Sequence, residues 1–166
     1  MTEADQILLS EQTFYHGTTR KMWETAADVD HGGLFITPNL KDALSYADEA
    51  AIREAYDNEE SGLDDVRPDA VVVSLSGAEL VKLLDATAVR PALEIEPDWG
   101  WVDGQESLAK HEGRQFETPG WQESMAACGG LLLSGFMEAD KRGFSVTAYA
   151  EMESEIEEGN STSFGL

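Results

Sequence analysis

Residues 13–51 constrain the fold more than any other stretch of the chain. Thr13-Phe14-Tyr15-His16 has the aromatic and β-branched content of a strand, and Gly17 breaks it. Thr18 and Thr19 are good caps for a short helix over 20–28. His31-Gly32-Gly33 reads as a turn, and Leu34-Phe35-Ile36-Thr37 reads as a second strand that Pro38 ends. Asn39 then caps a helix with Asp42 in its third position, an approximate capping box. Leu40, Ala43, Leu44, Ala47, Ala51 and Ala55 recur at helical spacing as one narrow apolar stripe. Tyr46 falls about 100° from the centre of that stripe, where it borders the buried face. Strands and helices alternating over so short a span predict an α+β fold.

The remaining chain continues the mixture. Residues 1–12 are polar apart from Ile7-Leu8-Leu9, a short lead-in strand or helical turn. The acidic segment 57–68 reads as an exposed loop, and 69–75 as a buried strand through Val71-Val72-Val73. Ser76-Gly77-Ala78-Glu79 is a capping box that opens a helix to Leu84. Residues 88–95 are a strand candidate, and 97–120 are irregular around a short helix near 105–111. A helix over 121–127, a strand at Leu131-Leu132-Leu133, a helix over 135–142 and a strand over 144–149 follow. The tail from 153 is acidic. No repeat or linker divides the chain, so residues 1–166 are expected to form a single domain.

Composition narrows the partners. With 166 residues, 42% of them hydrophobic, the chain can bury one core. No run of about 18 apolar residues predicts a transmembrane helix. Met1-Thr2-Glu3-Ala4-Asp5 lacks the basic start of a signal peptide, so a cytoplasmic location is expected. The lone Cys128, in an apolar Ala-Ala-Cys-Gly-Gly run, fits a buried thiol in a reducing compartment. A net charge of −22 allows three readings: a solvated acidic surface, a surface that docks on a basic partner, or a mimic of nucleic-acid charge. Direct docking on a phosphate backbone is disfavoured, because the bases are scattered and only Arg20-Lys21 and Lys141-Arg142 are adjacent.

Tyr15-His16-Gly17-Thr18, then Gly33-Leu34-Phe35-Ile36-Thr37-Pro38 and a helix bearing Tyr46, together resemble the first half of the ADP-ribosyltransferase fold. The resemblance is to its His-Tyr-Glu branch, which includes diphtheria-toxin-like enzymes and the poly(ADP-ribose) polymerases, and covers about a quarter of the chain. It implies a split β-sandwich with short flanking helices that uses NAD. His16 would hydrogen-bond the ribose beside the nicotinamide. Gly17, lacking a side chain, would let its backbone close on the flat amide. Phe35 and Tyr46, eleven residues apart, would sandwich the nicotinamide ring, and Thr18 would support the adenosine half. Tyr15 belongs to the same tetrad. Diphtheria-like members carry a Tyr where this chain has Phe35, so stacking survives but a phenolic hydrogen bond does not.

The implied reaction transfers ADP-ribose to a protein or other acceptor and releases nicotinamide. Its oxocarbenium-like state calls for a carboxylate, which in the family sits on a late strand. The run from Ala139 to Val146 resembles the turn into that strand, which makes Glu151 the candidate, with Glu153 next and Glu94 and Glu96 as rivals. A free-standing domain of this kind suits a phage or toxin-type modifier. Two alternatives stand beside it: a binding protein on the same fold without catalysis, and the RNA 2′-phosphotransferase branch, which leans on Arg and His residues that are scarce here. Without the family, His16 reads as a semi-buried strand residue and Tyr46 as a helix-edge aromatic. Trp99, Trp101 and Trp121 read as core or loop anchors. His31 and His111 have no partners at ligand spacing, so no metal site is expected.

Overall fold

The computed structural model describes residues 2–25, 33–60, 62, 68–92, 99–115 and 121–164. Within these, the chain is mixed α and β, built on two small antiparallel sheets. Strands β1 (Thr13–Thr19), β3 (Ala70–Ser76) and β6 (Ser145–Ala148) form one sheet in the order β1-β3-β6. Strands β2 (Gly33–Ile36), β4 (Arg90–Ala92) and β5 (Leu131–Ser134) form the other in the order β2-β5-β4. The helices are α1 (Glu3–Ser10), α2 (Arg20–Glu24), α3 (Leu40–Glu60), α4 (Gly77–Ala86), α5 (Trp99–His111), α6 (Trp121–Cys128) and α7 (Tyr149–Phe164). A short 3-10 helix spans Glu138–Gly143.

Alternation along the strands sorts residues into two cores. Phe14 opposes Leu75 and His16 opposes Val73, and these face inward with Leu34, Ile36, Leu131 and Leu133 of the other sheet. Trp23, Phe136 and Phe144 pack at one end of this core, with ring centroids 5.5 to 6.5 Å apart. The opposite face of the first sheet carries Tyr15 and Val72, covered by Ala43, Leu44 and Ala47 of α3 and Met152 of α7. Gly17 lies on that covered face. A Cβ at Gly17 would lie 1.8 Å from the Ala43 carbonyl oxygen and 2.6 Å from the Ala47 nitrogen. Only glycine lets α3 rest directly on β1.

Local signals place the helix ends. Thr19 caps α2 by accepting the Met22 N–H at 3.1 Å. Asn39 Oδ1 accepts the Lys41 and Asp42 amides at the start of α3. Ser76 Oγ caps α4 through Glu79 N–H, while the Glu79 carboxylate turns to Lys82 instead of closing the box.

Several elements differ from the sequence expectation. The lead-in is a full helix, α1, whose Thr2 and Asp5 form a reciprocal capping box. Helix α3 runs on to Glu60, through residues expected to start an exposed loop. Beyond Ala47 the buried face passes through Ala50, Glu54 and Asn58, while Ala51 and Ala55 of the expected stripe are only partly buried. Strand β6 stops at Ala148, and the acidic tail begins as helix α7. No described helix is long and apolar enough to cross a membrane.

Candidate functional site

Besides sharing a core, the two sheets are joined, among the described residues, by one backbone bridge. Tyr15 N–H donates to the Thr37 carbonyl at 2.8 Å, and Thr37 N–H donates back to the Tyr15 carbonyl at 2.9 Å. In an antiparallel ladder the next such pair would be Gly17 with Phe35. It does not form. Instead the His16 ring enters the gap, and its Nδ1 lies 2.7 Å from the Phe35 carbonyl oxygen. A carbonyl can only accept, so Nδ1 carries a proton and donates it to this bond. Alternate residues of β1 turn their backbone groups to alternate sides. Arg20 N–H bonds to the Asp69 carbonyl on the β3 side, which places the even-numbered groups there. The N–H and C=O of Gly17, like those of Tyr15, therefore point away from β3 into the gap.

The walls of the gap come from α2 and α3. Trp23 stands 6.1 Å from His16, centroid to centroid. Its carbonyl accepts from Lys141 Nζ, which also lies 4.8 Å from the centroid of the Trp23 ring and 3.0 Å from Glu138. On the α3 side, Phe35 and Tyr46 meet edge to face, with centroids 5.5 Å apart and planes at 83°. No planar ring fits between them in that arrangement. Tyr46 is 37% exposed, so it can turn towards solvent. Phe35 also explains Gly130, where a Cβ would lie 2.3 Å from its ring.

The structure thus brings together His16, Gly17, Phe35 and Tyr46, with Tyr15 forming the bridge that starts the gap. Tyr15 packs under α3, and burial followed by the nearby Glu155 charge holds its phenol above the ordinary value. Thr18 is fully buried and faces the inner core. Thr19 Oγ1 donates to the buried Glu54 carboxylate at 2.9 Å, which ties β1 and the cap of α2 to α3.

Glu151 is not part of this assembly. It is exposed in the first turn of α7, after β6 has ended. Ala148 aligns with Val71 and, through it, with Thr18, so β6 lies two strands from β1, about 10 Å away. That displacement is on the side opposite the gap. Glu153 is exposed on the same helix, and Glu94 and Glu96 lie outside the described residues, as does His31. Neither β5 nor β6 carries an acid. Asp42 is one carboxylate on the Tyr46 side, with Glu49: Asp42 lies one turn before Tyr46, and a Cβ on Gly129 would be 3.7 Å from its Oδ2. Its spacing from Tyr46 was the available sequence signal. Trp23 and Lys141 had none, because their contacts join distant segments.

Among the described residues, no group of three or more His, Cys, Asp or Glu could hold a metal ion. No protein-family model matches the chain, and comparison with curated proteins and solved structures gives no significant match.

Proposed function

We propose that the gap between β1 and β2 binds the nicotinamide end of NAD, and that the chain is an ADP-ribosyltransferase-like domain. The observation that carries this reading is the backbone of Gly17, whose N–H and C=O both face the gap where the ladder to Phe35 is interrupted. A primary carboxamide offers the matching acceptor and donor on one edge. Two antiparallel sheets joined, among the described residues, by one bridge also suit the split β-sandwich that the resemblance implies. His16, held at Nδ1 by Phe35, would present Nε2 to a ribose hydroxyl. Tyr46 would rotate from its edge-on contact to cover the nicotinamide ring against Phe35. Arg53 lies on the same flank of α3 as Tyr46, two turns and about 10 Å further on, within reach of a phosphate.

A second reading is a nucleotide-binding protein without transfer. The placement of Glu151 away from the gap favours it, since glycosidic cleavage needs an acid beside the ribose. One experiment separates the two. Incubation with NAD would be followed by nicotinamide release and by thermal shift, with His16→Ala, Asp42→Asn and Glu151→Gln alongside. Release that is lost in His16→Ala supports the enzyme. A thermal shift without release supports the binding protein. Neither release nor shift in the intact protein would sink both.

A further inference from the structure

A second concave surface lies on the opposite flank of α3. It is a groove of about 490 Å³ bounded by α3, by the residues leading into β3, and by the β6–α7 junction. Its floor is small and apolar: Ala51, Ala55, Ala70, Ala148 and the ring of Tyr149. Its α3 wall ends in Ile52, which is 64% exposed, with Tyr56 one turn further at 62%. Two large apolar side chains side by side on an otherwise charged helix are an unusual exposure. Among the described residues, the lining carries two carboxylates, Asp48 and Asp69, and no cation. Arg20 holds Asp69 at 2.7 Å from outside the groove. Arg53, two residues from Ala51, projects about 200° around the helix from it. The Tyr149 phenol is held above its ordinary value first by burial, then by the charges of Glu153 and Asp48.

We infer that this groove docks a basic segment of a partner protein, an aliphatic or aromatic anchor flanked by Lys or Arg. The anchor would rest on the alanine floor against Ile52, and the flanking cations would face Asp48 and the acidic rim. A second copy of this chain would bring another −22 charge to the same surface, and nucleic acid would bring phosphates. Charge complementarity therefore selects a basic protein over both. The inference does not depend on the nicotinamide site, which lies on the other flank.

The test uses the full chain and a fluorescein-labelled peptide with a Leu-Phe-Leu centre between two Lys-Lys pairs. A control peptide replaces the centre with Gly-Ser-Gly and keeps the charge. Fluorescence anisotropy should show the apolar-centred peptide binding more tightly than the control. Ile52→Ser should weaken it by about tenfold. Leu8→Ser, at a leucine 50% exposed on α1, should leave it unchanged. Both substitutions lie on exposed positions, and circular dichroism would verify that each variant folds. Equal binding of the two peptides, insensitive to Ile52→Ser, would mean diffuse charge attraction and would overturn the proposal. So would no binding at all, or concentration-dependent self-association that Ile52→Ser abolishes.

Discussion

Helix α3 has two flanks of different character. On one, Tyr46 meets Phe35 beside an interrupted ladder, and backbone polar groups of β1 face outward. On the other, Ala51, Ala55 and Ile52 border a groove whose floor is methyl groups. The first flank has hydrogen-bonding geometry and aromatic faces, which suit a small polar molecule. The second has apolar area and negative charge, which suit a protein. Glu151 belongs beside the second flank: it follows Ala148, Tyr149 and Ala150, which line the groove. The acid that the family resemblance paired with His16 thus sits among the wrong neighbours for that pairing.

Substitutions can sharpen this contrast. The largest effect is expected at Gly17, where the two flanks share a foundation. Gly17→Val forces side-chain atoms into the α3 backbone and should lower the unfolding free energy by about 3 kcal/mol or prevent folding, as read by urea denaturation. Thr19→Val removes the donor to a buried carboxylate and the cap of α2 together, and should cost about 2 kcal/mol by the same measurement. His16→Ala should cost about 1 kcal/mol of stability through the lost bond to Phe35, yet should abolish any NAD-dependent thermal shift. Glu151→Gln, on the far side, should leave both stability and that shift unchanged. Loss of the shift in Glu151→Gln would break the separation drawn here.

The smallest effect is alkaline. The phenols of Tyr15 and Tyr149 are raised above the ordinary value of 10.0 in the folded chain. The unfolded chain therefore ionises first. Their contribution to stability is complete below pH 10 and falls away as the pH rises through the folded values. Thermal melts from pH 8 upward should show the decline, and Tyr15→Phe should lessen it.

The contact of Phe35 with Tyr46 in the candidate site was legible because its signals are local. Strand β1 runs on through Gly17 to Thr19 without the expected break, but the Pro38 stop and the off-stripe position of Tyr46 each depend on residues within one or two turns. They place Phe35 and Tyr46 together, as found. The place of Glu151 was not legible, because it required knowing that β6 pairs with β3 and lies on the far side of β1 from the gap. Strand order is a long-range property, and residues 145–151 look the same at either edge. The same limit hid Lys141, whose contact with Trp23 spans most of the chain. Helix α3 exceeded its expected end for a different reason. Glu54 and Asn58 read as surface residues, and the Thr19 hydroxyl supplies a hydrogen bond that helps make a buried Glu54 tolerable.

That hydroxyl has a single proton, and this fixes a direction. Thr19 gives the proton to Glu54 and offers a lone pair to Met22, so the short helix bearing Trp23 is anchored through one atom to the long helix behind it. Segments coupled in this way open together. The Met22 amide should exchange with deuterium at the rate of the Glu54 turn, although five-residue helices ordinarily exchange almost as freely as coil.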